Sequence, residues 1–259
     1  MRRVLIGGSI LSLMAAMVAL APVASAAKKC FGQTPTIVGT AKGDVIVAGG
    51  DDDVIFGAGG NDVIRGARGS DLICGGAGRD TLSGGNGDDR MSGGKDKDAL
   101  NGNADNDRLL GGGGKDSLKG GTQGDYLSGG PGHDRLTGGN GRGSDKLYGG
   151  KKPDRLSGGR GADVVSGGNG NDTLIGGRGT GDGADVRGPG SNDTILGGKG
   201  DDVGYGSSGE DTLAGHRGDD QLFGGTNDDA LNGGKGKDVA DGGPDQDSCI
   251  GEQTANCES

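Results

Sequence analysis

The sequence predicts an all-β fold, a parallel β-solenoid of 23 units of about nine residues each, spanning residues 39–250. Three observations predict it. An Asp recurs at nine-residue intervals, Ile, Leu, Val or Met follows it two positions later in 19 of the 23 units, and glycine supplies 66 of the 259 residues. The Asp run is Asp44, Asp53, Asp62, Asp71, Asp80, Asp89, Asp98, Asp107, Asp116, Asp125 and Asp134. After one longer interval it continues at Asp145, Asp154, Asp163 and Asp172. A second irregularity around Gly179–Arg187, expected to bulge and interrupt one edge, contains Asp185, and the run then proceeds through Asp193, Asp202, Asp211, Asp220, Asp229, Asp238 and Asp247.

The period outweighs the composition. Leu, Ile, Val and Phe make up about 17% of the chain, and Trp is absent. That lies in the range where chains begin to look disordered, and it excludes an ordinary globular enzyme with one large core. Two slots kept in phase over most of the chain nevertheless demand a repeating structure. The clearest units are Gly75-Gly76-Ala77-Gly78-Arg79-Asp80-Thr81-Leu82-Ser83 and Gly84-Gly85-Asn86-Gly87-Asp88-Asp89-Arg90-Met91-Ser92. Glycine takes positive φ readily, so the Gly-rich half of each unit reads as a tight turn. The three residues after the Asp read as a very short strand, out-in-out, that buries one aliphatic side chain. Two units make a flattened coil, and roughly twelve such coils stack in parallel about 4.8 Å apart. Gly204 and Ala240 stand in inward slots and are expected to leave them underfilled.

The segments outside the repeat differ from it. Arg2 and Arg3, an apolar stretch from Leu11 to Ala21 and the small-x-small Ala24-Ser25-Ala26 read as a signal peptide over residues 1–26. Residues 27–38 form an N-terminal segment and 251–259 a C-terminal cap. Four Cys in an exported chain point to two disulfides with three possible connectivities. Proximity favours Cys249–Cys257 and Cys30–Cys74.

Charge narrows the partners. The chain carries 27 Lys+Arg against 37 Asp+Glu; without Arg2 and Arg3 this becomes 25 against 37, a net of −12. An acidic surface with few aromatics excludes nucleic acid as the expected partner. No second stretch could span a bilayer. Catalytic motifs are missing too. His133 and His216 lie too far apart for a zinc-protease helix, and neither a nucleophile elbow nor a phosphate-binding loop occurs. The flanks of the repeat hold no room for a catalytic domain, so the chain is expected not to be an enzyme.

The unit is similar to the G-G-x-G-x-D-x-U-x nonapeptide of the RTX (hemolysin-type) calcium-binding repeat, from residue 39 to residue 250. The resemblance implies a right-handed parallel β-roll with Ca²⁺ between the turns of neighbouring coils, bound by Asp carboxylates and Gly-loop carbonyls. It also exposes a departure: such proteins generally leave the cell through an exporter that reads a C-terminal signal, whereas this chain has an N-terminal leader.

Electrostatics reach the same ion independently. Asp residues two units apart stack on one edge of a two-unit coil, and carboxylates ~5 Å apart repel by ~3 kcal/mol at an effective dielectric near 20. A hard divalent cation with six to eight oxygen ligands reverses that sign, and flexible loops suit Ca²⁺ better than Mg²⁺. The candidate metal ligands are Asp62, Asp71, Asp80, Asp89, Asp116, Asp134, Asp163, Asp172, Asp202, Asp211, Asp220 and Asp238. The best neighbours are Asp62 with Asp80, Asp71 with Asp89, Asp116 with Asp134, Asp202 with Asp220 and Asp220 with Asp238. The turn Gly before the Asp is replaced by Lys42, Asp51, Asp96, Asp105, Gln123, Lys152, Ser191, Asn227 and Asp245. Those units are expected to be weaker, the ones ending at Asp44 and Asp154 most of all. The sequence thus predicts a secreted, extracellular Ca²⁺-binding protein that folds on binding. The alternative is a structural or adhesive rod with an extracellular surface or matrix partner, in which calcium is only structural.

Overall fold

The computed structural model describes residues 3–5, 29–177, 192–251 and 253–257. Every regular element among them is a β-strand. Successive strands fall alternately into two parallel sheets, of 13 and 12 strands. The strand Thr81–Asn86, for example, pairs in parallel with Val63–Arg68 on one side and Ala99–Asn103 on the other. Leu82 lies opposite Ile64 and Leu100, so each register step spans two units. Arg3–Leu5, within the expected leader, pairs with Val45–Val47 at the end of the larger sheet. The apolar stretch and cleavage site of that leader lie outside the described residues.

The strands are longer than the three residues expected. Most have six, as in Thr81–Asn86 and Arg90–Lys95, because the paired glycines after the aliphatic residue also join the ladder. Gly76 lies opposite Gly94, with a coil above and below to receive their peptide groups. Side chains alternate as the pleat requires. The aliphatic residue faces in, and the residues on either side of it face out or lie half-buried.

The inward aliphatics form one continuous column between the sheets, including Ile55, Ile64, Ile73, Leu82, Met91, Leu100, Leu109 and Leu127. Ile37 and Cys249 pack against it. At Gly204 the neighbours lean into the slot. A Cβ there would lie 3.3 Å from Leu222 Cδ2 and 3.4 Å from Ile195 Cγ2, so the slot is less empty than expected. Ala240 is fully buried in the same column.

The two irregular intervals are absorbed between rungs without shifting the register. Tyr126 pairs with Lys146 across the first, and Val164 pairs with Thr194 across the second. The second interval was expected to bulge and interrupt one edge; residues 178–191 lie outside the described residues, and the strands on both sides of them pair directly. Asp185 lies in this stretch, outside the described residues; the described coils carry the other 22 Asp as rungs, in about 11 turns.

Both expected disulfides are present. Cys30–Cys74 ties the N-terminal segment to the outer face of the strand Leu72–Ala77, and Cys249–Cys257 closes the C-terminal loop.

Leu127→Ala should cost ~2–5 kcal/mol in urea unfolding of the folded protein, since Leu127 is fully buried. Gly204→Ala should be neutral or stabilising by up to ~1 kcal/mol, because its φ is ordinary and only flexible methyls meet the new Cβ.

Candidate metal sites along the aspartate ladders

Each repeat Asp follows a turn and folds its carboxyl group back inside the coil. Asp71 and Asp220 are fully buried, and nearly all the other repeat Asp are almost so. Space for the carboxyl comes from the glycine five positions earlier. A Cβ built on Gly57, Gly66, Gly75 or Gly84 would collide with Oδ2 of Asp62, Asp71, Asp80 or Asp89 respectively. One unit tests this relation naturally. Ala48 replaces that glycine before Asp53, and Asp53 is the one described repeat Asp that is only half-buried.

The carboxyl groups are fixed by a bond between coils. The Asp44 backbone N–H donates to Asp62 Oδ1 at 2.8 Å, Asp62 N–H to Asp80 Oδ1 at 2.8 Å, and Asp80 N–H to Asp98 Oδ1 at 2.8 Å. The series runs on through Asp116, Asp134, Asp154, Asp172, Asp202 and Asp220 to Asp238. A second ladder starts at Asp53 and runs through Asp71, Asp89, Asp107, Asp125, Asp145, Asp163, Asp193, Asp211 and Asp229 to Asp247. All twelve sequence-predicted ligands stand in these ladders, and all five predicted neighbour pairs are directly bonded. So are Asp98, Asp107, Asp125, Asp154, Asp193 and Asp229, which the turn-glycine argument left out, and Asp145, whose unit keeps its turn glycine at Gly143. The ladders pass through the units of Asp96, Asp105, Gln123, Lys152, Asn227 and Asp245 unbroken because these residues adopt the left-handed φ that glycine holds elsewhere, from 69° at Gln123 to 99° at Asp245. Ser191 lies outside the described residues.

The second oxygen of each carboxyl is different. Oδ2 is buried without a hydrogen-bond partner in eighteen of these Asp, including every predicted ligand except Asp238. The space it faces is lined by oxygen. Asp62 Oδ2 and the carbonyl oxygen of Gly75 from the next coil both border the space left by the missing side chain of Gly57, the carbonyl 2.6 Å from the position a Cβ would take. At Gly75 and Gly111 the carbonyls of Gly93 and Gly129 do the same, each at 2.8 Å. Among the described residues no three His, Cys, Asp or Glu side chains converge, so a cation here would draw on carboxylates and backbone carbonyls together. Orphaned carboxylate oxygens beside carbonyl oxygens are a hard donor set of the kind Ca²⁺ takes.

Burial raises the affinity of these groups for protons. Desolvation pushes Asp107 and Asp163 up to about 8, and Asp89, Asp98, Asp125, Asp154, Asp193, Asp202 and Asp229 to about 7. Asp71, Asp80, Asp116, Asp145, Asp172 and Asp211 rise to about 6, and Asp62, Asp134 and Asp220 rise as well. The backbone N–H donated to each carboxyl opposes the shift; repulsion from ladder neighbours adds to it for most of them. Members of one ladder therefore titrate as a coupled set.

The sign of the pH dependence follows. A folded-state pKa above the unfolded value of about 4 means the metal-free coil binds more protons than the unfolded chain. Its stability should rise as pH falls from about 8 towards 5, checked by thermal unfolding in chelator. Protons and Ca²⁺ compete for the same oxygens, so the Ca²⁺ midpoint should move to higher concentration over the same range. Gly84→Ala should cost ~1–3 kcal/mol by forcing the Asp89 carboxyl aside. Gly113→Ala, whose Cβ would meet nothing within 4 Å, should be near neutral in the same urea titration.

Comparison with known proteins agrees with this geometry. No curated protein matches the chain. The family model of the RTX calcium-binding nonapeptide repeat (4 copies) matches repeatedly, from residues 38–73 through 110–144 to 214–249, and its overlapping matches cover nearly all of residues 38–249. Ca²⁺ is the ion that repeats of this kind bind. A family match over most of the chain, two parallel sheets and an inward Asp in every described rung converge on one conclusion: the chain belongs to the RTX calcium-binding nonapeptide repeat family.

Proposed function

We propose that this is a secreted protein whose activity is to bind several Ca²⁺ ions between stacked turns and to fold when it does. The observation that carries this reading is the row of eighteen buried Asp Oδ2 atoms without partners. Asp62 with Asp80, Asp71 with Asp89, Asp116 with Asp134, Asp202 with Asp220 and Asp220 with Asp238 would hold the ions, as would the ladder pairs of Asp163, Asp172 and Asp211. Asp98, Asp107, Asp125, Asp154, Asp193 and Asp229 join them on the same grounds. Bound Ca²⁺ supplies positive charge and a full oxygen shell to carboxylates that burial otherwise drives towards the neutral form. The side chains themselves set the order of events: charged carboxylates cannot enter the coil unpaired at neutral pH, so coil closure and cation uptake are one equilibrium.

Secretion is supported by the N-terminal leader and by the two disulfides, which belong to an oxidising compartment. Low Ca²⁺ inside the cell would keep the chain open for export and millimolar Ca²⁺ outside would close it. Binding is the whole activity proposed; no reaction is assigned. A structural rod is the second reading, favoured by the unbroken inward column and the disulfides at both ends, which could hold the coil without metal.

Far-UV circular dichroism of residues 27–259, disulfides intact, separates the two. A cooperative coil-to-β transition with Ca²⁺ and none with Mg²⁺ is the expected outcome. A spectrum already β-rich in chelator at pH 7.5 would overturn folding on binding and favour the rod.

A further inference from the structure

The acidic chain carries a groove lined by cations. The strands Thr194–Lys199, Thr212–Arg217 and Ala230–Lys235 are consecutive rungs of the smaller sheet, and each ends on an exposed cation. Lys199 is in register with Arg217, and Arg217 with Lys235. Their spacing is held by the backbone. The carbonyls of Lys199, Arg217 and Lys235 accept from the N–H groups of Gly170, Gly200 and Gly218 at 2.7, 2.9 and 3.0 Å. The three cations therefore form a straight row with rungs about 4.8 Å apart. They line a cavity of about 580 Å³ together with His216, Asn169 and the bare backbone of Gly168 and Gly198.

The acids two residues beyond Lys199 and Arg217, Asp201 and Asp219, are not among the lining residues; each is held by Oδ1 to a backbone N–H of the next coil, that of Asp219 and of Lys237. None of the three cations forms an ion pair with a described residue. His216 also holds a left-handed φ of 79°, while Gly198 and Gly234, its register partners, fill that position in the adjacent rungs. Ala58, Ala67, Asn103 and Ser207 hold the same left-handed conformation at this repeat position, so the backbone there accepts a side chain, and in this rung it presents an imidazole to the groove.

We propose that this groove binds a linear acidic polysaccharide, with its carboxylate or sulfate groups against Lys199, Arg217 and Lys235. The charges lie in line and do not converge, which suits a chain with regularly spaced anions over a single phosphate or sulfate. Nucleic acid fits less well. No Phe, Tyr or Trp lines the groove to give successive bases a stacking platform. The row is invisible in the nine-residue period because its members stand in alternate units. The inference needs the folded rod but no particular calcium stoichiometry, so it survives if folding proves independent of metal.

The test uses the full mature chain with free Ca²⁺ held constant, titrated by calorimetry with a sulfated heparin hexasaccharide and with hexagalacturonate. Dextran oligomer, inorganic sulfate and oligo(dT) serve as comparators. At least one acidic hexasaccharide should bind, and the two arms distinguish sulfate from carboxylate. The variant K199Q/R217Q/K235Q, shown by circular dichroism to be folded, should bind at least ~10-fold more weakly, with a log K against log salt slope reduced by about two. R135Q/R155Q, on the face of the other sheet, should bind as the parent does. His216→Gly should weaken binding while raising the thermal midpoint. The proposal is overturned if neither acidic hexasaccharide binds better than dextran, if both multiple variants lose affinity equally, if inorganic sulfate binds as tightly as the polymer, or if oligo(dT) is preferred.

Discussion

The rest of the structure depends on the bond between each inward Asp Oδ1 and the backbone N–H of the Asp one coil earlier. Twenty such bonds link the 22 rungs into two ladders, most of them between fully buried partners. Slipping a rung by even one residue would strand a buried carboxyl and a buried N–H, each worth ~1–3 kcal/mol. Register is therefore held at the margins of the coil, where the aliphatic column alone would hold it weakly. This explains how the chain tolerates insertions. The separation between ladder partners grows from 18 to 20 at Asp125–Asp145 and Asp134–Asp154, and to 30 at Asp163–Asp193 and Asp172–Asp202, yet the bonds stay at 2.7–2.8 Å. Extra residues are confined to the connection between rungs because that is where they disturb no bond.

The same arrangement creates an electrostatic debt. Two rows of carboxyl groups inside a coil cannot all be ionised without a counter-charge, and either protons or a divalent cation can supply one. Glycine makes the arrangement possible. Its missing side chain is the space into which Asp turns, so the abundance of glycine is a packing requirement as much as a turn requirement. Ala48 beside Asp53 marks what happens without it: the carboxyl moves towards solvent and its Oδ2 accepts from Gly49 N–H at 3.3 Å.

Outside the ladders the constraints loosen. A second, outer ladder of Asn and Asp side chains caps the turns. Asn61 Oδ1 accepts from Arg79 N–H, Asp88 from Asn106 N–H and Asn171 from Asp201 N–H. The outward strand positions are free to vary, and the chain uses them for local contacts. Arg108 lies 4.1 Å from the centre of the Tyr126 ring, and Tyr205 stacks on Phe223 at 5.0 Å. A rigid scaffold with variable outer slots is the setting in which a charged row such as Lys199, Arg217 and Lys235 acquires a fixed spacing.

Period by itself determined the all-β solenoid, the coil of two units, the inward aliphatic column and the Asp edges, because each depends on local alternation or on a repeat of constant length; the disulfide pairing, favoured by proximity among three connectivities, was fixed by the fold. The tertiary structure alone decided three further things. The carboxyl groups turn inside against glycine, which depends on contacts five positions and one coil away. Turn positions such as Gln123 and Lys152 keep the left-handed backbone despite their side chains, because ladder bonds on both sides outweigh a local φ preference. Register carries across both irregular intervals, since ladder bonds form over separations of 20 and 30 residues as they do over 18.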